Sequence, residues 1–236
     1  MTDMAQQSSL EIRTGTCGWN HDDWVYAFYP DDLPDDWRLS YYSNEFDTVL
    51  VPVHGLDSIT SQEAEQWYED TRDDFLFFIK LPDSVNLCDP ELSVLLDRIG
   101  PLGAKLGGIL LPAGLTCEQE NQVARMEIQC AIYMELEQQN LPDYVKKAFS
   151  GSPADTYHAY ALHQSSSIVG TSSAALSLLI VEKTGEQPYD LRKLRKLVEG
   201  IMAAGADDNR VTILLGGHSS VTEDVRNIRI MVDLMT

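Results

Sequence analysis

The sequence predicts an α/β protein: a compact, single-domain TIM-like (β/α)8 barrel. Three observations carry that expectation. Eight short β-type runs alternate with helical stretches from end to end, the pattern of α/β folds. Runs such as FLFFIKL (75–81), LGGILL (106–111) and LSLLIV (176–181) are almost continuously apolar, as parallel strands covered on both faces should be. No internal repeat or long low-complexity linker divides the 236 residues. A doubly wound open sheet is the rival, and nothing local separates the two.

The elements follow in order. Residues 1–10 read as a disordered or extended N-terminus, and 11–236 as the barrel domain. Leu10 to Thr16 is the first strand, Leu39 to Phe46 a helix, and Thr48 to Val53 the second strand. Thr60 and Glu63 stand at capping-box spacing, so a helix starts there. Phe75 to Leu81 is the third strand. Asp89–Pro90 opens a helix with proline at its first position, and Leu92, Leu95, Leu96 and Ile99 line one face of it. Leu106 to Leu111 is the fourth strand, stopped by Pro112. Thr116 and Gln119 form another candidate capping box. Ala131 to Leu136, Tyr157 to Leu162 and Leu176 to Val181 read as strands five to seven. Asp190 caps a helix striped by Leu191, Leu194, Leu197, Val198, Ile201 and Met202. Val211 to Leu215 is the eighth strand, and a last helix begins at Thr222.

The formal net charge is −20, from 37 acidic and 17 basic residues. That argues against a nucleic-acid binder, which needs basic surface to displace counterions, and against anionic lipid. The Asp pairs 22–23, 31–32, 35–36, 73–74 and 207–208 read as a solvated acidic surface. The four cysteines form no CxxC, and no Cys/His spacing matches a zinc site; a His21–His54 pair could hold a metal with Glu135, but no HxH or HxxxH pattern supports one, and no metal or cofactor is assigned. No run approaches the roughly 20 apolar residues of a membrane span. With a polar N-terminus, the expectation is a cytoplasmic protein with reduced thiols.

The first half carries a series of ordered motifs. Ile12, Gly15, Thr16, Gly18 and Trp19 are followed by Trp24 and by Phe28-Tyr29-Pro30. LSYYSNEFDTVLV begins at Leu39, AEQWYEDTRDDFLFFIKLP at Ala64, and IGPLGAKLGGILLP at Ile99. Over roughly residues 11 to 112 this resembles the YecE-like proteins, the domain of unknown function 72. The resemblance implies a TIM-barrel-like fold and supplies no reaction. Against the family pattern, Leu50 stands at a Glu position and Pro52 at an Asn position. Glu135 keeps a Glu while the neighbouring Arg is replaced. Val181-Glu182-Lys183 and Gly216-Gly217 replace polar strand ends. Lys80 is kept.

In a (β/α)8 barrel, active sites lie at the C-terminal ends of the strands. That selects Cys17, Trp19, Asn20, His21, His54, Lys80, Glu135, Glu182, Lys183, Gly216, Gly217, His218 and Ser219. Lys80 is the leading candidate, as anion binder, base or Schiff-base amine; its structural alternative is an ion pair, for example with Glu135. His21, His54 and Glu135 are candidates for acid–base work. Trp19, Asn20, Gly216, Gly217 and His218 are ligand-binding candidates, since GGHSS (216–220) could wrap a phosphate. GTSSAAL (170–176) precedes a strand and falls at the opposite end. Two functions stay open: an enzyme or binder of a small phosphate- or carboxylate-bearing ligand, or a catalytically degenerate barrel acting as a binding or scaffold protein, with oligomerisation undecided.

Overall fold

The computed structural model describes residues 10–87, 90–116, 118–119, 130–149, 155–162, 176–183, 187–205, 210–217 and 219–235. Eight strands close into one barrel in sequence order: β1 (Glu11–Cys17), β2 (Thr48–Pro52), β3 (Leu76–Lys80), β4 (Leu106–Leu111), β5 (Ile132–Glu135), β6 (Asp155–Leu162), β7 (Leu178–Lys183) and β8 (Arg210–Gly216). β8 pairs back onto β1 over six residues, from Glu11 opposite Arg210 to Thr16 opposite Leu215, which excludes the open sheet. Six helices are described: α1 (Arg38–Glu45), α2 (Ser61–Asp70), α3 (Pro90–Ile99), α4 (Asp143–Phe149), α5 (Leu191–Ala204) and α6 (Val221–Met235).

The expected all-parallel barrel is corrected at one strand: β6 runs antiparallel to both β5 and β7. β5 and β6 are joined through α4, a helix of seven residues. α4 packs on α5, with the Tyr144 side chain so close to Gly200 that a Cβ there would stand 2.6 Å from the Tyr144 Cβ.

Two-residue alternation sorts each strand's side chains into two cores. Leu50, Phe78, Leu110, Tyr160, Leu178, Ile180 and Leu214 fill the barrel interior. Their neighbours, such as Val49, Val51, Phe77, Ile79, Leu179 and Val181, pack outward under the helices. Three of the four aromatics at 24–29 belong to this outer core, and Tyr26 is exposed. Trp24, Phe28 and Tyr29 are buried against Tyr42 and Phe46 of the first helical segment.

The predicted caps form. Thr60 accepts from the Glu63 N–H while the Glu63 carboxylate accepts from the Thr60 N–H. The Asp190 carboxylate accepts from the Arg192 N–H. Thr116 and Gln119 make the same reciprocal pair of bonds as a capping box. The N-terminal tail 1–9, Asp89 and residues 163–175 lie outside the described residues. No described helix is long and apolar enough to cross a membrane.

Candidate functional site

Seven strands end at one mouth of the barrel, and the reversed β6 begins there. Alternation places Lys80 on the interior face of β3 with Phe78, and Glu135 on that of β5 with Tyr133. His158 shares a face of β6 with Tyr160, and Glu182 shares one of β7 with Ile180. Cys17 closes the ring from β1. The result is an ionisable rim over an apolar floor of Leu50, Phe78, Leu110, Ile180 and Leu214.

Glu135 is the organising carboxylate. His158 Nδ1 lies 2.5 Å from Glu135 Oε1, and the Ala113 N–H donates to Oε2 at 3.3 Å. Burial raises the Glu135 carboxyl. The hydrogen bond and charge of His158, the Ala113 N–H and the nearby Lys80 charge outweigh it and hold the group below its ordinary range. The bond uses Nδ1, so the Glu135 carboxylate holds the His158 ring in one orientation. The structural alternative for Lys80 is not realised: Glu135 pairs with His158, and among the described residues no hydrogen bond or ion pair forms at the Lys80 ammonium.

Cys17 lies between Glu182 and Lys80. Burial pushes its thiol far up, and the charge and hydrogen bond of Glu182 push it further against the weaker pull of Lys80. A raised thiol stays protonated, and its hydrogen bond goes to Glu182. Gly216 makes this contact fit, since a Cβ there would stand 3.0 Å from Cys17 Sγ and 3.5 Å from Glu182 Cγ. Tyr160 is fully buried below the rim, and its hydroxyl has no partner among the described residues.

Other expected site residues go elsewhere. Trp19 packs edge-on to Trp67, with ring centroids 5.1 Å apart, and to Phe77, which belongs to the outer core. Asn20 accepts from Arg38 Nη1 at 2.6 Å, and Arg38 also pairs with Asp35. The His21 ring sits on Trp24, with Nε2 2.9 Å from the Cys17 carbonyl. These three residues hold the β1 loop. His54 is exposed in the turn after β2, with no hydrogen bond or ion pair among the described residues. Gly217 has φ +96°, and a Cβ there would meet the Lys183 carbonyl at 2.1 Å, so it serves a turn. Lys183 donates to the Pro188 carbonyl. His218 lies outside the described residues, and the Ser220 carbonyl accepts the first amides of α6. A polar cleft of about 230 Å³ lined by Glu11, Arg13, Asp47, Asp74 and Arg229 lies at the opposite end of the barrel. Among the described residues no three His, Cys, Asp or Glu groups converge as metal ligands.

Sequence reasoning missed His158 and Tyr160. A parallel sixth strand would put Tyr157 and His158 at the far end and Leu162 at the mouth. Reversal brings His158 to the mouth, and alternation, which reads alike in both directions, carries no signal for it.

The class defined so far is a closed eight-stranded α/β barrel with an ionisable rim at one end. The chain belongs to the family described as "Protein of unknown function DUF72", whose model matches residues 13–139. No curated protein matches it. Among solved structures it is similar to a DUF72 family protein from Thermotoga maritima, at 14% identity and TM-score 0.59, covering 95% of this chain and 98% of that one. It is also similar to one from Enterococcus faecalis, at 13% identity and TM-score 0.59, covering 94% and 95%. At such identities the likeness concerns the fold.

Proposed function

We propose that the barrel mouth binds a small anionic ligand, carboxylate- or phosphate-bearing, through Lys80. One observation carries this: Glu135, a rim carboxylate that feels the Lys80 charge, is taken by His158 and the Ala113 N–H, and the Lys80 ammonium forms no ion pair among the described residues. An unpaired ammonium over an apolar floor is a ready anion contact. The acid–base role first assigned to His21 and His54 passes in this reading to His158 with Glu135, because the His21 ring nitrogen meets a backbone carbonyl and His54 faces solvent.

The barrel itself is read as a TIM-type barrel of YecE-like proteins with its sixth strand reversed. A cytoplasmic location is supported by the free thiols of Cys17 and Cys130, and a partner other than nucleic acid or anionic membrane by the charge of −20.

The test is a thermal-shift titration with inorganic phosphate and with acetate on the parent and on Lys80→Ala. Binding raises the melting temperature as ligand exceeds Kd. A shift in the parent that disappears in Lys80→Ala supports the reading; equal shifts in both, or none, overturn it. The second reading, a barrel without catalysis serving as a binding or scaffold protein, is favoured by Leu50. It replaces a family Glu and lies 1% exposed on the interior floor. An oligomer in solution with an inert mouth would support that reading.

A further inference from the structure

The Tyr160 hydroxyl is the polar group in the barrel that the proposed anion contact leaves unexplained. The ring lies in the interior cluster, the residue is 0% exposed, and its oxygen has no hydrogen-bond partner among the described residues. Native interiors rarely keep such a group unsatisfied, and an occupant of the site is one way to satisfy it. Its surroundings indicate where that occupant would sit. Tyr160 stands directly opposite Glu135 in the β5–β6 register, with its ring in the interior cluster, and the charges of Glu135, Asp83 and Glu182 reach its hydroxyl.

The chemistry of these neighbours narrows the occupant. The Tyr160 hydroxyl can accept but also carries a proton that needs an acceptor, while the Glu135, Glu182 and Asp83 carboxylates only accept. A group that accepts from Tyr160 and also donates to a carboxylate satisfies both. A hydroxyl does this; a ligand carboxylate cannot donate, and an ammonium cannot accept. Lys80 lies on the same rim, two residues along β3 from Phe78, which belongs to the cluster that holds the Tyr160 ring. We propose that the mouth takes a small hydroxy carboxylate, its carboxylate on Lys80 and its hydroxyl between Tyr160 and the rim carboxylates. This rests on the Lys80 reading above and adds the second functional group of the ligand.

The experiment compares each hydroxy acid with its deoxy partner by calorimetric titration: glycolate against acetate, and 3-hydroxypropanoate against propanoate. Proteins are the parent, Lys80→Ala and Tyr160→Phe. Tyr160→Phe removes only an oxygen without a partner, so it keeps the fold. The expected result is that one hydroxy acid binds about tenfold more tightly than its deoxy partner, the size of one well-made hydrogen bond, and that Tyr160→Phe brings this ratio to about one. Equal binding of each pair in the parent means that water fills the hydroxyl position; if Lys80→Ala abolishes that equal binding, only the present inference is overturned. A ratio that survives in Tyr160→Phe overturns it too. No binding of any of the four acids overturns the Lys80 reading and this one with it.

Discussion

His158 Nδ1 meets Glu135 Oε1 at 2.5 Å across the antiparallel β5–β6 pair. The two residues lie 23 positions apart, and the reversal of β6 brings the imidazole to the rim. The pair fixes the imidazole at the rim, and it ties acid stability to the candidate site.

The first prediction concerns pH. The folded Glu135 titrates below its ordinary value of 4.5. A depressed carboxyl stabilises the fold above the unfolded value, and that contribution is lost as pH falls through the folded one. Glu11 and Glu63 are lowered in the same sense. Urea unfolding of the parent should therefore weaken as pH drops below 4.5. Glu135→Gln should be less stable than the parent at neutral pH and lose less on acidification. Parallel pH profiles for the two proteins would refute the linkage.

Tyr160→Phe should raise the melting temperature or leave it unchanged. The hydroxyl is buried and without a described partner, and such a group costs about 1–3 kcal/mol. A fall of several degrees would mean that the oxygen is bonded in the free protein.

Tyr42→Phe should destabilise by about 2–3 kcal/mol in urea titration. The Tyr42 hydroxyl accepts from the Thr16 N–H at 2.9 Å and from its Oγ1 at 2.8 Å, and donates to the Thr48 carbonyl at 2.9 Å. It bridges β1 and β2 from the helix outside them. Paired with Tyr160→Phe, the variant asks opposite outcomes of the same chemical change.

Lys105→Met should cost about 3 kcal/mol, because losing the buried ammonium leaves the carbonyls it bonds without a donor. Lys105 is 3% exposed and donates to the Tyr68 carbonyl at 2.6 Å and the Thr71 carbonyl at 2.7 Å, closing the C-terminal end of α2. Its ammonium also lies 4.4 Å from the Tyr68 ring centroid. A wild-type unfolding midpoint would remove this role.

Gly15→Ala should cost about 3 kcal/mol or prevent folding, since overpacked cores lose that much. A Cβ at Gly15 would stand 1.9 Å from the Thr48 carbonyl, which lies directly opposite it in the β1–β2 register. Circular dichroism melting of the variant decides it.

Much of the fold is legible before any coordinates. Apolar runs at 75–81 and 106–111 lie over β3 and β4 because strands covered on both faces need continuous apolar residues. The cap at Thr60 is legible because hydroxyl and carboxylate spacing alone satisfies the first amides of a helix. The candidate site is legible only in part. Lys80 and Glu135 are found because they end recognisable strands. Trp19, Asn20 and His21 also follow a strand end, yet they turn to the outer core, Arg38 and a backbone carbonyl. Position in the chain sets how far a residue lies from the mouth, and the path of the loop decides where its side chain goes.

By itself the sequence determined the alternation of elements, the helix caps, the acidic surface and the likeness to a family of unknown function. These depend on contacts within a few residues or on composition. The tertiary structure decided the closure of β8 onto β1, the direction of β6, and with it the meeting of Glu135, His158 and Tyr160 at one mouth. The physical reason is that side-chain alternation has no direction. A strand buries the same face whether it runs up or down, and only its pairing with distant neighbours chooses which end carries the chemistry.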